Sequence, residues 1–375
     1  DAWIVLASVD GIGEILMALL VSTFRGARNV LAATRDGAVA AFNEDWRRRN
    51  GRPALNQPTL KELVAAAFEP EVLLTRLTEL GLWTYTSLDA DYPPRLRDLD
   101  PPPAVIHGTG DRTLLFGERI VAVVGTRRPT PDGRALAGRV ARRLAEFGTV
   151  VVSGLAVGID GAAHAAVVEG GGQTVGVIGG GHLFPGPRAH QRLRNEVVES
   201  GGAIISERYP TVHPTVGTYP KRNRIIAALG DATIVIEAPR KSGALITAKD
   251  AMDLGRPVFI APGRIGDWST AGSLALLRDS PARPLIGLDE LIEDLGYLQQ
   301  RSGEPESGAP LLHGLSPTER AVAERLKVAP ANLDALVADT GLPPGTISSA
   351  VTLLMLRGWA QSIGPAYAAA GPLAR

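Results

Sequence analysis

The chain contains no cysteine among its 375 residues. That excludes disulfides, thiolate metal sites and a cysteine nucleophile, and it fits a reducing compartment. Charge of one sign is not in excess either, since Lys plus Arg and Asp plus Glu both number 39. Without a global basic field, any site for a polyanion has to be built by local clustering. No apolar run is long enough to span a bilayer, and no secretory signal pattern opens the segment that begins at Asp1. The expected compartment is the cytoplasm, with no membrane partner. Two nucleotide signatures are also missing. The turn where GxGxxG belongs reads Gly125-Thr126-Arg127-Arg128-Pro129, and no Gly-Lys-Ser or Gly-Lys-Thr occurs anywhere. No internal repeat is present.

What is there falls into regions. Residues 1–111 read as mostly helical, with apolar residues at helical spacing through Ile15, Leu16, Leu19, Leu20 and again through Leu60, Leu63, Val64, Ala67. Asn43 to Pro58 is polar and reads as a connector. Prolines at 93–94 and 101–103 mark an extended lead into the next region. Residues 112–297 alternate β-branched runs with helical pattern. The expected strands are Ile120–Val124, Val150–Ser153, Thr174–Ile178, Ala203–Ser206, Ala232–Glu237, Pro257–Ala261 and Pro284–Ile286. Nearly continuous Val/Ile strands separated by helices predict an α/β fold with a mostly parallel sheet covered on both faces. Residues 298–311 have linker composition. Residues 312–375 read as three short helices and a hairpin, which is winged-helix-like.

In such a sheet the ligand crevice lies beyond the carboxyl ends of the strands, and there the informative residues gather. Gly125 permits a sharp turn after the first core strand, and Arg127 and Arg128 follow it. After the second, Ser153-Gly154 either offers a hydroxyl and amides to an anion or simply allows a tight turn. Beyond the third lies His182 to Arg194, with Phe184, Arg188, Arg192 and Arg194. Tyr219-Pro220-Lys221-Arg222-Asn223-Arg224 places three cations and an amide before an apolar helical run. Lys241-Ser242-Gly243 opens another helix, an anion-receptive N-terminus. Tyr209, Tyr219 and Phe184 are candidates to stack on bases. Asp160 and His164 share a helix face as a structural hydrogen bond or, alternatively, an acid–base pair. Glu207 and Glu237 close their strands, either to pair with a neighbouring Arg or to bind a ribose or base edge.

The ordered set Gly125-Thr126-Arg127, SGLAVGID at Ser153–Asp160, Ser206-Glu207, RNRIIA at Arg222–Ala227, Glu237-Ala238, Ser242-Gly243, Leu245, Thr247-Ala248 and Pro262-Gly263 resembles the bacterial DNA-processing protein A (DprA, or Smf) family. The resemblance covers most of Leu114 to Leu295. It implies a Rossmann-like core that binds single-stranded DNA, protects incoming strands in natural transformation and helps load the RecA recombinase. It also implies a dimer formed through that core, no metal or nucleotide cofactor and no enzymatic activity. Thr126 replaces the family's serine and keeps the hydroxyl. The family's Gly-x-Asn-x-Leu-Ile reads Gly272-Ser273-Leu274-Ala275-Leu276-Leu277 here, so an amide is lost while the helical packing survives. Val9-Asp10-Gly11-Ile12-Gly13 looks like a helix-hairpin-helix turn in a SAM-like N-terminal scaffold. The winged helix, with Ser348, Ser349 and Arg357 on its recognition helix, is poor in cations and better suited to protein contact.

The expected site for single-stranded DNA is therefore Gly125, Thr126, Arg127, Arg128, Ser153, Gly154, Tyr219, Lys221, Arg222, Asn223, Arg224, Lys241, Ser242 and Gly243. The alternative is a phosphoribohydrolase-type enzyme on a related scaffold, using Asp160, His164, Glu207 or Glu237 as acid or base. The Pro-Gly-Gly-x-Gly-Thr-x-x-Glu signature of such enzymes is missing.

Overall fold

The computed structural model describes residues 1–184, 186–215, 217–297, 317–356, 359–364 and 366–370. It divides into two compact units, Asp1–Gly296 and Tyr297–Arg375. The expected linker at 298–311 lies outside the described residues.

The first unit is built on one sheet of nine strands. These are β1 (Trp83–Thr86), β2 (Val105–Gly110), β3 (Ile120–Val124), β4 (Val150–Ser153), β5 (Thr174–Val177), β6 (Ala203–Ser206), β7 (Ala232–Val235), β8 (Val258–Ile260) and β9 (Arg283–Pro284). Their order is β1-β2-β6-β5-β4-β3-β7-β8-β9. The strands from β3 to β9 pair in parallel, while β2 is antiparallel to both β1 and β6.

Side chains alternate across a strand, and the Val/Ile runs supply apolar groups to both faces. Ile120, Ala122, Val124, Val150, Val152, Val175 and Val177 pack with Ile225–Leu229 and with Ala244, Ala248 and Ala251 of two following helices. Val121, Val123 and Val151 are equally buried on the other face. There the helices Pro131–Glu146 and Ile159–Glu169 lie against the sheet, with Ala137, Val140, Leu144, Ala163 and Val167 buried. This is a Rossmann-like fold with helices on both sides.

Two features of the first region differ from the sequence reading. Trp83–Gly110 is not mostly helical: it contributes β1 and β2 to the sheet, with only the short helix Pro94–Arg97 between them, so the sheet begins before residue 111. Asn43–Asn50 is not a connector but the second half of helix Ala38–Asn50. Its arginines pair along the helix with Glu44 and Asp45, and buried Asn43 exchanges two hydrogen bonds of 2.8 Å with the Leu55 backbone. The polarity of this stretch is an outward face, not a break. Six helices precede β1, and Leu6, Met17, Leu20, Val30 and Leu63 form their core.

The second unit carries helices Pro317–Val328, Leu333–Thr340 and Pro344–Leu356. Its strands β10 (Ala331–Asn332), β11 (Ala360–Ile363) and β12 (Ala366–Ala369) pair in the order β10-β12-β11. Val322, Leu326, Leu336, Ile347, Val351 and Leu354 close a separate core. The winged-helix expectation holds. Among the described residues no single helix is long and apolar enough to cross a membrane.

Candidate nucleic-acid interface

The strand order reverses between β3 and β7, since chain progress runs one way through β4, β5 and β6 and the other through β7 and β8. A cleft of about 550 Å³ opens at that point, beyond the carboxyl ends of the strands, where open α/β sheets hold their ligands. It is lined by the turn after β3 (Gly125–Arg128), by Asp160, by Tyr219, Arg222 and Asn223, by Lys241–Gly243 after β7, and by Trp268.

The turn after β3 is fixed by its own polar groups. Thr126 N–H donates to the Glu237 carbonyl at 2.7 Å, and Ile159 N–H donates to the Thr126 carbonyl at 3.2 Å. The Thr126 hydroxyl accepts from Arg128 N–H at 3.2 Å and is buried. The Glu237 carboxylate accepts from Thr130 N–H at 2.9 Å and from its hydroxyl at 2.5 Å, while Thr130 caps the next helix through Gly133 N–H at 3.0 Å. At Gly125 a Cβ would lie 2.6 Å from Ile159, which is why the turn after the strand begins with glycine. This scaffold pushes Arg127 and Arg128 outward. Both are exposed, and among the described residues neither meets a carboxylate in an ion pair. The Arg127 guanidinium lies over the Tyr219 ring, 5.0 Å from its centroid.

The basic cluster at 221–224 does not act as one patch. It lies inside helix Thr218–Leu229, and a turn of about 100° per residue sends neighbouring side chains in different directions. Lys221 is exposed but outside the cleft lining. Arg222 turns inward and is 5% exposed. Its guanidinium donates to the Gly154 carbonyl at 2.6 Å, to the Val177 carbonyl, and to Asn223 Oδ1 at 3.2 Å. Arg222 therefore clamps the ends of β4 and β5 and forms the cleft floor; it is not a rim cation. Gly154 is required for this, because a Cβ there would sit 2.5 Å from that guanidinium. Asp160 faces the clamp. Burial pushes its carboxyl up, and the Arg222 charge works against that shift. Asn223 Nδ2 donates to the Gly243 carbonyl at 3.1 Å, joining the floor to the next helix. Arg224 points away from the cleft. It pairs with Glu14 and with Glu207, each at 2.7 Å, and donates to the Pro101 carbonyl at 2.8 Å.

Ser153 also turns inward, away from the cleft. Its hydroxyl is wholly buried and donates to the Val123 carbonyl at 2.6 Å, so it ties β4 to β3. On the far wall Ser242 caps helix Gly243–Asp253 by accepting from Ala244 N–H at 3.3 Å. Lys241 and Gly243 there are exposed.

Among the aromatics, Tyr219 lines the cleft, whereas Tyr209 is buried with its hydroxyl on the Leu73 carbonyl at 2.9 Å. Phe184 stacks on His213 beside a smaller hollow of about 60 Å³ on the other side of Tyr219. Arg192 pairs with Glu196 at 2.6 Å and Arg194 donates to the His182 carbonyl at 3.1 Å, so neither reaches the cleft. Sequence reasoning missed Trp268, whose signal was a lone tryptophan in a short loop after a core strand.

Each acid–base candidate is structurally engaged. His164 is wholly buried, bonded through Nδ1 to the Thr174 hydroxyl at 2.7 Å, and held down to about 3 by burial and by His190. Glu207 is pushed up by burial while Arg224 opposes that. Asp160 faces Arg222, and Glu237 is bound to Thr130. Among the described residues no group of three or more His, Asp or Glu could hold a metal ion. The Gly11 turn is also occupied, with Gly11 N–H on Asp10 Oδ1 at 3.0 Å and Ile12 N–H on the Val9 carbonyl at 3.1 Å. The helix that carries the family's missing amide keeps a polar contact, since buried Ser273 Oγ accepts from Ala238 N–H at 3.0 Å. Arg357 lies outside the described residues.

Residues 83–296 match the family model described as DNA recombination-mediator protein A, and residues 305–364 match that of the DprA winged helix domain. The DNA processing protein DprA of Bacillus subtilis is 34% identical over 68% of this chain and 88% of its own length. Protein Smf of a Synechocystis strain is 30% identical over 95% of both chains. The crystal structure of DNA processing protein A from Streptococcus pneumoniae superposes with a TM-score of 0.62 at 27% identity, covering 78% of this chain and 98% of that one. A Helicobacter pylori structure, described in terms of that protein's single-stranded DNA binding mode, gives 0.52 at 30% identity over 57% of this chain and 95% of its own. With a core model spanning more than half the chain, its own winged-helix model and relatives matched along nearly their whole length, the chain belongs to the DprA/Smf family of DNA recombination mediators.

Proposed function

We propose that the switch-point cleft binds single-stranded DNA and that the chain works as a non-enzymatic recombination mediator. The observation that carries this reading is the set of exposed cations at the mouth of the cleft, Arg127, Arg128 and Lys241, which among the described residues have no carboxylate partner, beside the Tyr219 ring. Phosphates meet those cations and the helix N-terminus at Ser242–Gly243. Tyr219 meets a base. Gly125, Thr126, Ser153, Gly154, Arg222 and Asn223 hold the walls in place, and Lys221 extends the positive surface beyond the lining. Arg224 has no part in binding. Contacts to backbone and ring faces make the site tolerant of sequence. A duplex, whose bases are stacked and paired, fits it poorly.

Family membership supports a finer reading. The chain protects incoming single strands during natural transformation, helps load RecA onto them, and acts in the cytoplasm as a homodimer formed through the Rossmann-like core. Single-stranded DNA binding by the Helicobacter pylori relative supports the ligand class proposed here.

Fluorescence anisotropy with labelled oligothymidine and with a duplex of equal length tests the first claim. Preference for the single strand, lost on combined Arg127→Ala and Lys241→Ala substitution, is the expected outcome. Equal affinity for both, or no effect of the substitutions, would reject the site. RecA nucleation on a coated strand and sedimentation analysis test loading and dimerisation.

A further inference from the structure

The loop between β8 and helix Ala271–Asp279 carries Trp268 into the cleft. Its side chain is 63% exposed, unusual for a residue of this size. Among the described residues its indole N–H has no hydrogen-bond partner, and no ring stacks on it. The loop that carries it is anchored at its C-terminal end. The next two residues, Ser269 and Thr270, are 3% and 5% exposed. The Thr270 hydroxyl is 3.4 Å from the carbonyls of both Arg264 and Asp267, to which it donates. Gly263 packs so tightly on Thr270 that a Cβ would approach it to 2.2 Å, and Gly266 turns the loop at a φ of +95°. A loop anchored at Ser269–Thr270 thus presents a large bare aromatic face to a cleft whose rim is cationic.

Position in the sheet adds a second constraint. Trp268 enters from the β8 side of the reversal, whereas Tyr219 borders the hollow over the ends of β4 and β5. One face of Tyr219 is already covered by Arg127. The uncovered aromatic surface in the cleft is therefore mainly that of Trp268.

We propose that Trp268 is a second base-stacking platform of this cleft, beside Tyr219, receiving one unstacked base of a single strand whose phosphates lie on Arg127 and Lys241. The assignment rests on the reading of the cleft as a single-stranded DNA site. A ring face accepts any base but only one that has left its own stack, so Trp268 selects against duplex without selecting sequence.

The test separates the two ideas. Anisotropy titrations would compare oligothymidine with an abasic strand of the same length, for the wild type, W268A, W268F and R127A. W268A should bind oligothymidine more weakly by about 5- to 150-fold, the span for one stacked base. W268F should recover most of the loss, and the salt slope should stay at the wild-type value. The abasic strand should bind W268A and the wild type equally. Emission of the wild type minus that of W268F should be quenched by oligothymidine. Unchanged oligothymidine affinity in W268A, with R127A still weakened, would overturn the stacking role alone. Equal loss for thymidine and abasic strands would also overturn it. A wild type that binds neither strand would overturn the cleft assignment as well.

Discussion

The sharpest quantitative consequence of the cleft is its salt dependence. Among the described residues, three exposed cations without carboxylate partners line it, and each phosphate neutralised on a single strand contributes about −0.7 to the slope of log K against log salt. If all three engage phosphates, the slope is about −2, and raising salt from 50 to 200 mM weakens binding by roughly 20-fold. Arg127→Ala should flatten the slope to about −1.4, so that the same change in salt costs roughly 7-fold. The variant's defect is then largest at low salt and shrinks by a factor of about 2.6 at the higher concentration. Arg224→Ala is the control, because its guanidinium is committed to Glu14, Glu207 and a carbonyl, and it should leave the slope unchanged. The assay is anisotropy of labelled oligothymidine at four or five salt concentrations. A slope that flattens with Arg224→Ala and not with Arg127→Ala would refute this account, because phosphates would then lie on the opposite side of helix Thr218–Leu229.

Other outcomes follow from the buried polar groups. Gly154→Ala places a methyl 2.5 Å from the Arg222 guanidinium, so the clamp on β4 and β5 must shift; a loss of about 3 kcal/mol is expected in urea unfolding, and an unchanged midpoint would contradict the clamp. Arg224→Ala leaves the 8%-exposed Glu207 carboxylate without its main cation and should cost about 3 kcal/mol near pH 8. Because burial already raises the Glu207 pKa, the native state binds the extra proton first, so this deficit should shrink as pH falls toward the carboxylate range; a deficit equal at pH 8 and pH 5 would argue against it. His107 and His164 are held down to about 3 and His182 to about 4, in each case chiefly by burial. Their neutral forms stabilise the fold fully above about pH 6.5, and that contribution is lost as pH falls toward those values, by about 1.4 kcal/mol per histidine per pH unit. Stability that stays level from pH 7 to pH 5 would refute this.

The β-branched runs at 120–124, 150–153, 203–206 and 232–235 could each serve only as a strand buried on both faces, and interleaved helices forced them to be parallel. The edge at which the cleft opens followed from that without coordinates. Winged-helix elements were readable because Asn332 and the Gly364-Pro365 break punctuate them. β1 and β2 were not legible, since Trp83–Thr86 is short and Val105–Gly110 ends in glycines, so no period distinguishes them from connectors; β2 becomes a strand by pairing with β6, and β1 by pairing with β2. Within the cleft, sequence order pointed to loops that line it but could not assign each side chain a direction. Lys221, Arg222 and Arg224 look alike on paper, and only the helical turn and the neighbouring carbonyls and carboxylates separate a surface cation, a buried clamp and an ion pair. Trp268 shows the same limit, because a tryptophan in a loop declares its size but not the cleft that it faces. Composition and periodicity set the architecture because they report how each segment is buried; partner choice among polar groups depends on distances between segments far apart in the chain, which exist only once the chain has folded.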